Sequence, residues 1–482
     1  MHAGRVCAEG VCTVVKSWRS RYFACHTAEM GRQPKQPNTQ LAELLAETGL
    51  PNKALARRVV ERGRAVGVEL RYDHTSVGRW LAGEQPNPPG PELVAECLTE
   101  VAGRRVTSAE CGMTGGGEAA DLGLEFSLSL AEATASATAL WRSDVERRRF
   151  LVGASYAVAV YPAASMRWLT LPGPEHPVSA GFRRIGQSDV DAVRTMTTAF
   201  RDLDNRVGGG KVRSTVVHYL HSSVAPLLRG SYNERVGRQL FATTAELTKL
   251  AGWAAYDLEE HGLAQRYLIQ ALRMSRAAGD AGLGAEILAA MSHQATYVGR
   301  PGDAVDLARA AQIAARNAGL PALESECLMV EAHGHAARQD ESACATSLNA
   351  AQRAYSRSDS GRPEWLDYFD EAYLSAKTAH CFRDLGDLPR AARYAEQSLD
   401  MSDGYLRGRA FNLCLLASAV ADADPHEAVR IGGEALELAA GLESRRSYSY
   451  LREVRFRLAP YDQLADVGEF RRRVLAATKG TD

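Results

Sequence analysis

Five alanines stand at nearly even intervals along the C-terminal half of the chain. They lie at 264, 304, 343, 391 and 428, within "GLAQRYLIQAL", "GDAVDLARAA", "ESACATSLNAA", "LPRAARYAEQSL" and "PHEAVRIGGEAL", at steps of 40, 39, 48 and 37. Around each, the pattern is A-x-x-x-[LAS]-x-x-[AS]. Residues three, four and seven apart share a helix face, and a face of small side chains lets a second helix approach closely. Turns such as "EEHG", "GRPGD" and "RDLGD" precede the units. No stretch of this half alternates apolar and polar residues as a half-buried strand would. Self-similarity at this period predicts helical hairpins that bury a core only by stacking, in a solenoid with a concave groove. His293, Gln294, His333 and Asn412 are the polar candidates on first helices to line that groove.

Composition limits what such a chain can do. Its 482 residues leave room for two or three domains. With 57 Lys and Arg against 58 Asp and Glu, it is no bulk polycation, so a nucleic-acid site must be a local patch. Only 7 of those 57 are Lys, a bias that fits a GC-rich genome. Nine Cys without a CxxC pair read as reduced thiols of a cytoplasmic protein, and no metal or other cofactor is expected. No run reaches the roughly 20 apolar residues of a membrane span. "FLVGASYAVAVYPAA" (150–164), broken by Pro162, reads as a buried helix. "HYLH" (218–221) has no third ligand nearby, and the two His of "HGH" (333–335) fall on different helix faces. "VGGGK" (207–211) lacks the strand before it and the Ser or Thr after it that a phosphate loop needs. No G-x-S-x-G, kinase set or paired carboxylates stand out, so an enzyme is not expected.

A second pattern occupies the N-terminal part. "NTQLAELLAETG" places Leu41, Leu44 and Leu45 on one face, with Gly49 as a stop. "NKALARRVVERGRAVG" (52–67) opens on Asn52, read as an N-cap, and buries Leu55, Ala56, Val59 and Val60. Asp73 caps a short helix over 74–82, which Gly83 ends. "QPNPPGP" cannot continue it, and "ELVAECLTEVAGRRV" forms a further helix. In the short helix Val77, Trp80 and Leu81 face inward, leaving His74, Thr75, Ser76 and Arg79 outward, where Gly78 permits close approach. Arg pairs with guanine edges, and hydroxyls bond bases or phosphates. Residues 52–79 hold seven basic against three acidic side chains, whereas 38–113 hold nine against ten. Any positive surface is therefore one face, and non-specific DNA affinity should be modest.

"LARRVVERG…HTSVGRWLAGEQPNPPGPELVAECL" resembles the Cro/repressor-type (XRE) helix-turn-helix. That resemblance implies base contacts from His74, Thr75 and Arg79. It implies phosphate contacts from Ser76, Asn52 and Lys53, with Arg57 and Arg58 on the same helix as further DNA-binding candidates. The link between the second and third helices, "RAVGVELRYD", is longer than the family's. "LAGWAAYDLEEHGLAQRYLIQAL", with Gly252, Ala264 and Ala271 at its small positions, and "LGDLPRAARYAEQSL" resemble the tetratricopeptide repeat, though at a longer period. From about residue 35 the chain resembles NsdA-type Streptomyces regulators, which join these two parts. "NTQLAELLAETGL", "RYDHTSVGRWLAGEQP" and "LWRSDVERRRFL…RWLTLPGP" carry that likeness. It implies a negative regulator of sporulation and antibiotic production.

The expected plan is all-α. Residues 1–35 are a disordered extension read from an upstream start codon, since Met30 makes a natural start. A helix-turn-helix domain follows over 36–113, then a Gly-rich linker over 114–123 ("MTGGGEAADLG" spans its surroundings). A helical connecting segment covers 124–188, in which Trp141, Val145, Phe150 and Leu151 pack. A solenoid of tetratricopeptide-like hairpins covers 189–475. The expected function is a cytoplasmic transcriptional regulator, nucleoid-associated when bound to double-stranded DNA as a homodimer. A peptide, small molecule or protein would lie in its groove. The alternative is an adaptor that works through the groove without specific DNA binding.

Overall fold

The computed structural model describes residues 37–65, 70–86, 90–104, 106, 108, 110–113, 121–146, 155–172, 175–358 and 361–478. The expected extension over 1–35, residues 114–120 of the linker, and Phe150 and Leu151 lie outside the described residues. Among the described residues the chain is all-α apart from one pairing of two-residue strands, and it forms two compact units, Met1–Ala120 and Asp121–Asp482. Among the described residues no helix is long and apolar enough to cross a membrane.

The first unit contains α1 (Thr39–Thr48), α2 (Asn52–Ala65), α3 (His74–Leu81) and α4 (Gly90–Ala102). Their apolar stripes meet in one core: Leu41 and Leu44, Leu55 and Val59, Val77 and Trp80, Val94 and Leu98. Val60 and Leu81, expected inside, are only partly covered. Asn38 ties the start of this unit to its end. Its Oδ1 accepts from the Leu41 amide and its Nδ2 donates to the Cys111 carbonyl, both at 2.9 Å. Asn52 is not a cap. The Pro51 carbonyl accepts from the amides of Ala54 and Leu55, and Asn52 is the first residue inside α2. Proline disfavours helical geometry in the residue before it, so the helix begins at Pro51 and its carbonyl takes the cap position. Helix α2 runs through Ala65, so Arg64 and Ala65 belong to the helix and not to the link that precedes α3.

The second unit opens with α5 (Leu130–Glu146), α6 (Val160–Thr170) and α7 (Gln187–Val207). Helix α8 (Gly209–Tyr219) continues through a π turn, Leu220–Val224, into Ala225–Leu228. Hairpins follow: α9 (Glu234–Asp257) with α10 (His261–Ala278), α11 (Ala281–Tyr297) with α12 (Pro301–Asn317), and α13 (Pro321–Ala337) with α14 (Glu341–Tyr355). The last three are α15 (Glu371–Leu385) with α16 (Leu388–Gln397), α17 (Leu406–Val420) with α18 (Pro425–Ala440), and α19 (Arg445–Arg457) with α20 (Ala465–Thr478). The first helices touch one another in order from α9 to α19 and form the inner layer of a solenoid.

The turns recur at a fixed interval. A left-handed residue appears every 20 positions: Glu259 (φ 60°), Gly279 (70°), Gly299 (77°), Gly319 (67°) and Gln339 (63°). A hairpin therefore occupies 40 residues. Ala264, Ala304, Ala391 and Ala428 are fully buried. In the third unit the buried position belongs to Cys344 and not to half-exposed Ala343, which restores the 40-residue step. The long step after it reflects an insertion between α14 and α15, which carries a 3₁₀ turn, Glu364–Leu366.

The described residues between 121 and 186 do not stand apart as a connector. They share the solenoid's core through Phe126, Trp141, Tyr161 and Trp168, and polar side chains of α10 fasten them. Gln270 donates to the carbonyls of Gly123 and Glu125, each at 2.9 Å. Arg273 bonds the Ser127 carbonyl at 2.5 Å and Glu175 at 2.7 Å. Gln265 bonds both backbone groups of Ala157 at 2.8 Å. The run over 150–164 is not one buried helix. Residues 155–159 are irregular and α6 starts only at Val160, which leaves Pro162 in the first turn, where its missing amide is harmless.

The solenoid closes on itself. Arg407 on α17 meets Asp204 on α7 at 2.6 Å and Asp257 at the end of α9 at 3.5 Å. Asp257 also accepts from the Gly209 amide at 3.0 Å and from Ser444 Oγ at 2.8 Å. The Gly210 amide donates to the Glu443 carbonyl at 2.9 Å. The "GGG" run serves this seam: a Cβ at Gly209 would lie 2.6 Å from the Ala254 carbonyl oxygen, and one at Gly210 2.7 Å from Glu443 Cβ.

Two outcomes follow. Gly299→Ala and Gly319→Ala meet nothing within 4 Å of the new Cβ, so only backbone strain counts. Each should lower stability by about 1–2 kcal/mol in thermal melts, with Asn at the same positions costing less. Arg407→Ala strands the buried Asp204 and takes one of three partners from Asp257, and should cost about 3–5 kcal/mol in urea titrations.

Candidate functional site

Two places concentrate polar chemistry, one in each unit. The first is the outer face of α3. Asp73 caps this helix: its Oδ1 accepts from the Ser76 amide at 2.9 Å, from Thr75 Oγ1 at 2.6 Å and from Ser76 Oγ at 3.0 Å. The Thr75 and Ser76 hydrogen bonds hold its carboxyl well below the usual carboxylate range. Val77 and Trp80 anchor the inner side, and the Tyr72 ring stands edge-on to Trp80 at 5.0 Å. His74, Thr75, Gly78 and Arg79 are exposed. At spacings of one, four and five they form one continuous solvent stripe.

Ser76 is a correction. It was expected outward, on phosphate, but it is buried, and its hydroxyl completes the capping box with Asp73. Capping geometry turns the third helical residue back over the helix start, which removes Ser76 from the stripe. Asn52 is half-buried at the first turn of α2, while Lys53, Arg57 and Arg58 are exposed on that helix. Arg57 lies 3.8 Å from Glu61 and Arg79 3.8 Å from Glu84. Both are exposed pairs of little strength, which a phosphate or base could displace.

The second place is a cavity of about 230 Å³ inside the solenoid. All the first helices, α9, α11, α13, α15, α17 and α19, contribute to its wall, together with α7 and the insertion, through Trp365, Tyr368 and Asp370. Trp253, Tyr373, Phe411 and Tyr450 supply aromatic surface. Most charges are answered in pairs: Arg201 with Glu246 at 2.9 Å, Arg407 with Asp204 at 2.6 Å, and Lys249 with Glu286. Tyr368 donates to Glu326 at 2.7 Å. Burial lowers Lys249 to about 8 and Lys377 to about 7, and it pushes His293 and His380 well below the ordinary histidine value. Lys377 Nζ lies 2.5 Å from His293 Nδ1, and an ammonium there donates its hydrogen bond to the neutral imidazole.

Of the four groove residues read from sequence, His293 and Asn412 line this cavity. Gln294 points to the other side of α11, where it bonds the His261 carbonyl at 2.9 Å and Tyr161. His333 is held by Asp384 at 3.1 Å and lies behind the wall, between His293 and His380. Lys249, Lys377, Arg446 and the aromatic wall were not anticipated. One signal for the lysines was present: in a chain with 7 Lys, two fall inside Ala- and Leu-rich first helices. Among the described residues no group of three or more His, Cys, Asp or Glu could hold a metal ion.

Residues 41–114 match the family described as the SP15 N-terminal domain. The match spans the unit that carries the α3 stripe and none of the solenoid. No curated protein matches the chain.

The lowered lysine has a measurable effect on stability. Lys377 takes up its proton at about 7 in the fold, against 10.5 ordinarily, through burial first and Arg446 as well, opposed by Glu326. Between those values the unfolded chain binds the extra proton, so stability rises with pH. Lys377→Met removes this contribution. Melting temperatures at pH 7 and pH 9 should therefore move in favour of wild type, relative to the variant, at the higher pH.

Proposed function

We propose that the protein is a DNA-binding transcriptional regulator that acts as a homodimer and senses a ligand through its solenoid. The exposed stripe of α3 carries this reading. A helix anchored by Val77 and Trp80 presents His74, Thr75 and Arg79 beside a glycine that lets it approach a groove floor. Arg79 reads a guanine edge, His74 and Thr75 contact neighbouring bases, and Lys53, Arg57 and Arg58 on α2 hold phosphates. Ser76 sets the stripe's geometry from within. Two copies place two α3 helices on half-sites one helical turn apart. The resemblance of the α1 and α3 stretches to NsdA-type regulators supports a negative regulator of differentiation and antibiotic production, working in the cytoplasm on the nucleoid. The tetratricopeptide-like small positions support a solenoid built for recognition. Gly252 is one of them, where a Cβ would come within 3.0 Å of Tyr267 Cβ.

The near-even charge of residues 38–113 favours a second reading, an adaptor that recruits a protein and retains no DNA. Genome-wide capture of DNA by the tagged protein separates the two. Wild type should give peaks with a shared motif. Arg79→Ala should lose them, whereas Lys53→Ala should weaken all sites evenly and reduce the salt slope by about 1. Peaks that survive Arg79→Ala would refute the α3 assignment, and a stoichiometric protein partner without DNA would establish the adaptor.

A further inference from the structure

Three nitrogen groups face the cavity without the partners that burial demands. Lys377 is 5% exposed, Arg446 3% and His380 7%. Lys377 meets His293 Nδ1 and the face of Tyr373, whose ring centre lies 5.3 Å from Nζ; Glu326 is near enough to favour its charge, but it forms no direct ion pair with a described residue. Arg446 is clamped between rings, 4.2 Å from the centre of Tyr256 and 4.7 Å from that of Phe411. Its Nε has no hydrogen-bond partner. The nearest carboxylate, Asp257, is 3.9 Å away and already engaged at the seam by Ser444 at 2.8 Å. His380 Nδ1 is also without a partner, its ring lying between His333 and Tyr450.

On the acidic side every carboxylate holds at least one donor, although Asp204 Oδ1 and Glu286 Oε2 have none of their own. Glu246, Glu286 and Asp204 each have a basic partner, and Glu326 takes the Tyr368 hydroxyl. Asp370 caps α15, accepting from the Tyr373 amide at 2.8 Å. Lys377 and Arg446 are therefore the two cavity cations with no carboxylate at hydrogen-bond distance, and they lie among Trp253, Tyr373, Phe411 and Tyr450. Buried cations of this kind are costly unless something pairs with them.

Building on the reading of the solenoid as a sensor, we propose that the cavity binds a small organic acid with a flat apolar body, its carboxylate received by Lys377 and Arg446. The rings stack on the body. The carboxylate accepts a charge-assisted hydrogen bond from each cation, and His380 closes the polar end. The volume, about 230 Å³, is below the usual range for drug-sized ligands and suits a metabolite of one or two rings.

Calorimetric titration of the full chain, without DNA, tests this with benzoate, phenylacetate and 2-naphthoate, each beside its neutral amide. At least one acid should bind saturably and its amide roughly tenfold more weakly or worse, the scale of one lost charge-assisted hydrogen bond. Lys377→Met should remove that preference and leave amide binding unchanged, and Lys377→Arg should restore it. Equal binding of acid and amide, unchanged acid binding in Lys377→Met, or no saturable binding of any probe would overturn the proposal. Because no DNA is present, a failure here leaves the α3 assignment standing, and a failure of DNA capture leaves this site standing.

Discussion

One buried carboxylate holds the solenoid shut. Asp257 ends α9 and receives, at one point, the Gly209 amide, the Ser444 hydroxyl and the Arg407 guanidinium. Its partners are separated from it by up to 187 positions. A fully buried aspartate is tolerable only when its lone pairs are filled, and here they are filled by groups from both ends of the repeat array. The aromatic wall and the paired charges of the cavity take their positions from that closure. Arg446, which faces the cavity, follows Ser444 by two residues, so the seam and the cavity wall are parts of one segment.

Much of this architecture was legible, because repeats and helix faces are local patterns. The alanine spacing foretold hairpins of about 40 residues, and the apolar positions of α1 to α4 foretold the first unit's core. The alignment at Ala343 failed by one residue because Cys and Ala are equally acceptable as small buried residues, and only packing tells them apart. The 48-residue step was visible as an irregularity. Nothing local showed that the insertion would place Trp365 and Tyr368 on the cavity wall. Asn52 was misread because a good capping side chain stood beside a proline whose carbonyl took the role. Ser76 was misread because helical periodicity places it near the outer boundary, while the reciprocal bonds of a capping box turn it inward.

The cavity was the least legible part. Its wall draws on residues from 197 to 450, so no window of sequence contains it. The first helices are apolar on both sides, since one side meets a partner helix and the other meets the wall. A polar residue among them therefore signals either a buried bond or a binding group. Gln294 and His333 proved to be the former; Lys377 and Arg446 have the features of the latter. Side-chain type alone does not distinguish them, because the difference is whether a partner from a distant hairpin arrives.

A ring also has an arithmetic that an open array lacks. Solenoids with free ends can gain or lose a unit there, since each repeat depends only on its neighbours. Here the terminal hairpins cap each other across the seam. Removing one 40-residue unit would shorten the circumference and carry Arg407 out of reach of Asp204. The number of hairpins is thus an integer that the fold enforces.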